Sequence, residues 1–218
     1  MRKLKILITV AVGVCYSSSV LAEHTFAIYS GVQSAPHANV KGTDSDGNSF
    51  DFTAGWVGKS FDAPPYYGFR WTAWDGDAGW GVDFTHSKIY ADTETLADNG
   101  FKVLEMTDGL NNLLVHRTQR YASSLSSGSH WFAGLGVGIA LPHVEVQTTR
   151  DSAFTHGYQY GGPSLGYNLG WRKEPTDSSI GYFTEFKFTS SWLDVGLKNN
   201  GSLKTRVFTN ALNVGVLF

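Results

Sequence analysis

The chain has 218 residues, of which 42% are hydrophobic, 14% aromatic and only 17% charged, with 25 Gly and a single Cys. Such a composition excludes a disordered chain, which is poor in aromatics and rich in charge, and it excludes a collagen repeat. The formal net charge of −2 argues against nucleic acid as a partner, because a basic face is what phosphate backbones attract.

The N-terminal segment reads as a separate object. Arg2, Lys3 and Lys5 precede an apolar run over 6–14, and Val20-Leu21-Ala22 offers the small-x-small pattern of a signal-peptidase site. This predicts a signal peptide over 1–22 and a mature chain over 23–218. Val14 stands where a lipoprotein signal needs a small residue before Cys15, so lipid anchoring at that cysteine is not expected. Export then removes the only thiol, which excludes disulfides, thiolate nucleophiles and Cys-ligated metal centres.

Beyond residue 22 no stretch approaches the roughly 18 apolar residues of a membrane helix. Alternating segments of about 10 residues appear instead, the pattern of a transmembrane β-barrel. Eight are predicted, at about 24–34, 66–74, 80–90, 108–121, 130–141, 158–171, 180–192 and 203–218. The third sets Trp80, Val82 and Phe84 against Gly81, Asp83 and Thr85, apolar side out and polar side in. The fifth sets Trp131, Ala133, Leu135, Val137 and Ile139 against Phe132 and three glycines, which suits a narrow lumen. In the seventh, Glu185 and Lys187 share the inward parity and are expected to compensate one another there. His116 and Arg120 likewise read as polar packing of the lumen.

The fold class is therefore all-β: an eight-stranded antiparallel transmembrane barrel, one domain over 23–218. Short links fall near 75–79, 122–129 and 173–179. Long links at 35–65, 91–107, 142–157 and 194–202 go to the outer side. The piece 50–60 itself reads as a strand and is expected to extend the wall within the first long link. A tight turn at Asp44-Ser45-Asp46-Gly47-Asn48 resembles a calcium loop but lacks its distal glutamate, and reads as a loop tip.

No G-x-S-x-G, H-E-x-x-H or P-loop is present. His37, His86, His143 and His156 all fall at outer strand ends. Prolines directly precede His37 and His143, and a proline there breaks the ladder and re-aims the next side chain. His143 and Glu145, two apart on an extended chain, share a side and make a minimal ligand pair for a divalent metal. Glu105 and Asp108 put two carboxylates before the fourth segment. Three roles are open to them: binding a cation, acting as a general base, or capping the turn at Gly109. Lys41, Lys59 and Lys88 are placed to meet lipid phosphates or to serve as ordinary interfacial lysines.

Several strings together resemble one family: Ala35-Pro36-His37, Ala63-Pro64-Pro65-Tyr66-Tyr67-Gly68, Asp83-Phe84-Thr85-His86-Ser87-Lys88, Thr107-Asp108-Gly109-Leu110-Asn111 and Pro142-His143-Val144-Glu145-Val146. They are similar to the lipid A oxidase group of Gram-negative outer-membrane barrels, over nearly all of 23–218. The C-terminal run ending in Phe218 is similar to the strand that the barrel-assembly machinery reads in such proteins. The resemblance implies an integral outer-membrane enzyme facing the outer leaflet. Its substrate would be lipid A or lipopolysaccharide, oxidised at the free C1 of the proximal glucosamine to 2-aminogluconate, with molecular oxygen as co-substrate. No side chain accepts a hydride and oxygen is a triplet, so a redox or divalent metal ion or an organic cofactor is expected, and without cysteine a metal would take His and carboxylate ligands. Chemistry and position nominate His37, His86, His143 and Glu145 as its ligands, and Asp108 or Glu105, with His143, as the catalytic groups. The rival readings are a structural or surface-interaction barrel without chemistry, and an acyl-transfer enzyme, for which no convincing Ser/His/carboxylate grouping is visible.

Overall fold

The computed structural model describes residues 23–150 and 152–218. The segment predicted as a signal peptide lies outside them. The elements are β1 (Glu23–Ser34), β2 (Ala38–Thr43), β3 (Ser49–Ala54), β4 (Trp56–Val57), β5 (Tyr67–Asp75), β6 (Ala78–Ala91), α1 (Thr93–Asn99), β7 (Phe101–Ala122), β8 (Ser129–Thr148), β9 (Thr155–Tyr158), β10 (Gly162–Lys173), β11 (Gly181–Gly196) and β12 (Ser202–Leu217). Eight of the strands pair in the order β1-β5-β6-β7-β8-β10-β11-β12, and β1 pairs back onto β12 from Ala27↔Leu217 to Ser34↔Asn210. The sheet thus closes into a ring of antiparallel strands with no free edge at that level. Each of the eight contains most of one predicted segment; the sixth, predicted from Tyr158, starts at Gly162 because Tyr158 belongs to β9.

The long links supply what the alternation pattern does not count. β2 and β3 form a hairpin on the upper end of β12, and β4 pairs with the end of β6. They extend the wall where the predicted extra strand at 50–60 falls. α1 is capped at both ends: Asp92 accepts from Thr95 N at 2.8 Å, and Gly100 closes the helix in the left-handed conformation. β7 and β8 run well past their predicted limits, to Phe101 and Thr148. The break expected at Pro142 does not occur, because β7 bulges between Glu105 and Leu110 directly across from it. A proline that lacks a ladder donor is accommodated opposite a bulge.

The interior is filled in three layers. Nearest the short turns, Arg120 and Arg172 lie over Trp74 at 4.1 and 4.7 Å, with Arg120 bonded to Glu23 and Glu174. At mid-height sits a neutral network. Arg70 donates through Nε to Asp83 at 2.7 Å and through both Nη groups to Glu185 at 2.8 and 2.9 Å, and Lys187 donates to Asp83 at 2.6 Å. Glu185 and Lys187 are both inside, as their parity predicts, but each is paired with a different partner rather than with the other. Toward the long links the filling turns apolar, with Val40, Trp56, Ile89, Leu104, Leu110 and Leu203 buried together. Inward glycines make room for this filling: a β-carbon on Gly134 would stand 2.3 Å from the Asn168 amide oxygen.

Outside, the ring carries exposed Trp71, Trp80, Val115, Trp131, Leu135, Val137, Leu169, Leu212 and Val214. On β8 this belt runs from Trp131 to Leu141, which at about 3.3 Å per residue and a tilt of about 40° spans about 25 Å. No helix among the described residues is long and apolar enough to cross a membrane.

Candidate functional site

The upper edge of the belt is where the polar chemistry begins. On β8 the alternation continues through Pro142. Leu141 faces out at the top of the belt, His143 and Glu145 face out above it, and Val144 and Val146 point into the apolar filling. β9 returns antiparallel along β8 with Tyr158 opposite His143 and His156 opposite Glu145, so all four side chains share the outer face. On the other flank Glu105 of β7 stands opposite Glu145.

The β7 bulge completes the group. Gly109 sits at φ 112°, a conformation open to glycine alone, and a β-carbon there would come within 2.4 Å of the His86 ring. The turn presents Thr107 and Asp108 to β8. The Thr107 hydroxyl donates to Glu145 Oε1 in a short contact, and Asp108 Oδ2 lies 3.8 Å from His143 Nδ1. His143 Nδ1 is also 3.2 Å from Glu145 Oε1. The ring is buried edge-on between His156 and Tyr158, at centroid distances of 4.5 and 4.7 Å. Tyr158 OH donates to the Asp108 carbonyl at 2.7 Å, which ties β9 to the bulge.

His143, Glu145 and His156 offer ligand atoms that all lie within 4.8 Å of one another. Two imidazoles and a carboxylate, with Glu105 facing them, suit a first-row divalent ion. The charge balance points the same way. Glu105 and Glu145 are like charges directly opposite on paired strands, an arrangement that costs free energy unless a cation or a proton lies between them. Burial, reinforced by Glu145, raises the Glu105 carboxyl above the usual carboxylate range.

Of the predicted residues, His143, Glu145, Glu105 and Asp108 come together here. His37 does not. The chain leaves β1 and pairs β2 with β12, so His37 lies in a groove with Trp192 and Arg206, away from β8. Its proline does not turn it to a common rim, and it is no ligand of this cluster. His86 shares the outer face, but β7 separates it from His143. Its Nδ1 is engaged by Asn111 Oδ1 at 2.9 Å and its ring stacks on Tyr67 at 5.0 Å. It flanks the site rather than joining the three-residue group. Lys88 is buried and donates to the carbonyls of Asp62 and Ala63, so it meets no lipid phosphate. His156, one of the four histidines placed at the outer strand ends but not among the expected ligands, joins the group, and Tyr158 was not foreseen in it. Both belong to a separate strand that pairs with β8, and the signal for a break before β10 was the run Gly161-Gly162-Pro163.

No family model and no curated protein matches the chain. Among solved structures, it is similar to Neisserial surface protein A at 15% identity and a TM-score of 0.47, over 89% of this chain and 94% of that one. A second similar structure is Ail, the attachment invasion locus protein of Yersinia pestis, in complex with the heparin analogue sucrose octasulfate. There the identity is 12% and the TM-score 0.35, over 88% of this chain and 99% of that one.

Proposed function

We propose that the chain is an integral outer-membrane β-barrel that oxidises the proximal glucosamine of lipid A at its free C1, with molecular oxygen as acceptor. The activity comes from the family resemblance of the sequence. The observation that supports it is that the His143–Glu145–His156 cluster lies on the outward face of the wall, just above the apolar belt. A side chain in that position meets the sugars of outer-leaflet lipid laterally, without passage through the lumen.

The reaction removes the C1 hydroxyl proton and, from the C1–H bond, a proton and two electrons. Oxygen takes the electrons and becomes hydrogen peroxide, and the sugar becomes a lactone that water opens to 2-aminogluconate. Asp108, exposed at the tip of the bulge, is the base for the hydroxyl proton. Tyr158 fixes the Asp108 backbone, and Thr107 and Glu145 hold the orientation around His143. A divalent redox metal held by His143, Glu145 and His156, with Glu105 opposite, would supply the electron transfer to oxygen that no side chain provides.

The test is mass spectrometry of lipid A with a free C1 hydroxyl after incubation with the purified chain, in air and under anaerobic conditions, with and without chelator. Gain of one oxygen atom only in air is expected, with loss of the gain on chelation. Unchanged lipid A with folded protein and metal supplied would support the second reading, a surface-interaction barrel without chemistry.

A further inference from the structure

A second polar feature stands on the outer wall, on the far side of β10 from the histidine cluster. β11, β12 and β2 frame a groove of about 500 Å³ lined by His37, Lys41, Trp192, Lys204, Arg206 and Phe208, among others. On β12 the outward positions read, from the belt upward, Val214, Leu212, Asn210, Phe208, Arg206 and Lys204. On β11 they end with Trp192 and Asp194. The groove therefore begins where the belt stops, at the height of lipid headgroups.

Its charges are arranged unlike those of the lumen. Lys204 and Lys41 are directly opposite on paired strands, and like charges so placed repel. Lys204 is engaged by Asp194 at 2.8 Å. Asp51 is in register with Lys41 but accepts from Asn39 at 2.6 Å. Among the described residues no carboxylate forms an ion pair with Lys41 or with Arg206. The Arg206 guanidinium is nevertheless held in place. Its Nε donates to Ser190 Oγ at 2.9 Å, and its plane lies over Trp192 and Phe208 at 4.3 and 4.7 Å. A guanidinium fixed at one edge by a hydrogen bond and backed by two rings, with its Nη groups left over, presents a fork suited to phosphate oxygens.

We infer that this groove binds the phosphate of an outer-leaflet glycolipid, with Arg206 and Lys41 as its cations and Trp192 and Phe208 against the first carbons of the lipid. The inference rests on the membrane placement proposed above, and does not depend on the oxidation. A lipid-borne phosphate is favoured by the continuity of the groove with the belt, which brings the headgroup of an embedded lipid to Arg206.

The test uses the full chain in phosphatidylcholine nanodiscs doped with either diphosphorylated or fully dephosphorylated lipid A, with bound lipid read by native mass spectrometry. Preferential retention of the phosphorylated lipid is expected. Arg206→Ala and Lys41→Ala should each lower it about fivefold, as expected for one cation near an anionic surface. Arg206→Lys, which keeps the charge but loses the fork, should lower it nearly as much as Arg206→Ala, and Lys102→Ala, at an exposed residue of β7, should leave it unchanged. Heat-modifiable gel mobility checks that each variant is folded. Equal retention of the two lipids, or retention unchanged in a folded R206A/K41A double variant, overturns the proposal. So does loss of retention on adding excess inorganic phosphate, which would make this a free-anion site. A chain that fails to oxidise lipid A yet keeps the phosphate preference would remove the oxidase reading and leave this one standing.

Discussion

The mid-lumen network and the outer histidine cluster use the same kinds of side chain to opposite ends. Inside, Arg70 and Lys187 meet Asp83 and Glu185, two charges of each sign. The remaining acceptor positions are filled by Tyr29, Asn168 and Asn213, at 2.7, 2.8 and 3.0 Å. Each of the four charged groups is paired, and six strands of the ring contribute. Outside, Glu105, Asp108 and Glu145 stand with two histidines, and no lysine or arginine pairs with any of them among the described residues. A closed and neutral network fixes a fold, whereas an open anionic one suits a cation. Residue type alone therefore separates neither case. The balance of charge and the face of the wall do.

The sharpest way to break this comparison is to open the closed network. Arg70→Leu leaves Asp83 and Glu185 buried without their shared partner, and removal of one member of a buried ion pair costs about 3–5 kcal/mol. The midpoint of urea unfolding in lipid vesicles should fall accordingly. If it moves by less than about 1 kcal/mol, the network is not what holds the ring. The corresponding change outside, His143→Ala, should leave that midpoint nearly in place. It should abolish retention of a divalent ion and lower oxidation of lipid A about 100-fold or more, the range for loss of a reacting or ligating group. Metal content measured on the folded variant checks the first effect and lipid mass spectrometry the second.

The ring was legible in the sequence because period-2 alternation survives wherever one face meets apolar surroundings and the other a packed lumen. Trp80-Gly81-Val82-Asp83 shows the pattern with hardly an exception. The network partners were not legible, since parity places Glu185 and Lys187 inside but says nothing of which residue on β5 or β6 reaches them. The site was half legible. Glu145 follows His143 by two, so a shared side is a local property of an extended chain. His156 joins them only through the pairing of β9 with β8, and His37 is excluded only by the pairing of β2 with β12. Both are long-range register facts that no local pattern encodes.

A finer test acts on the bulge that brings Asp108 to His143. Gly109→Ala introduces a β-carbon into a φ of 112° and into the His86 ring. Strain of this kind costs about 1–3 kcal/mol, relieved here by flattening of the bulge. Global stability should fall by no more than that, while oxidation falls further than stability because Asp108 is displaced. Equal activity in Gly109→Ala would show that Asp108 need not be held at the bulge.

The smallest effect bears most directly on the repulsion between Glu105 and Glu145. Glu105 titrates above the ordinary carboxylate range in the folded chain because burial and the facing Glu145 disfavour its charge. A group whose folded-state pKa is raised binds protons more tightly folded than unfolded. Its contribution to stability is therefore full below the ordinary carboxylate pKa and is lost as pH rises through the raised value. In metal-free protein, Glu105→Gln should flatten that decline and raise stability at neutral pH by about 0.2–1 kcal/mol, the size of a like-charge cross-strand pair. A divalent cation should do the same for the wild type by neutralising both carboxylates, and should do much less for Glu105→Gln. The pH series of unfolding midpoints, with and without the cation, distinguishes the two accounts of this pair. A decline that is identical in both proteins would mean that Glu105 and Glu145 already share no charge, and the outer cluster would then need no ion to complete it.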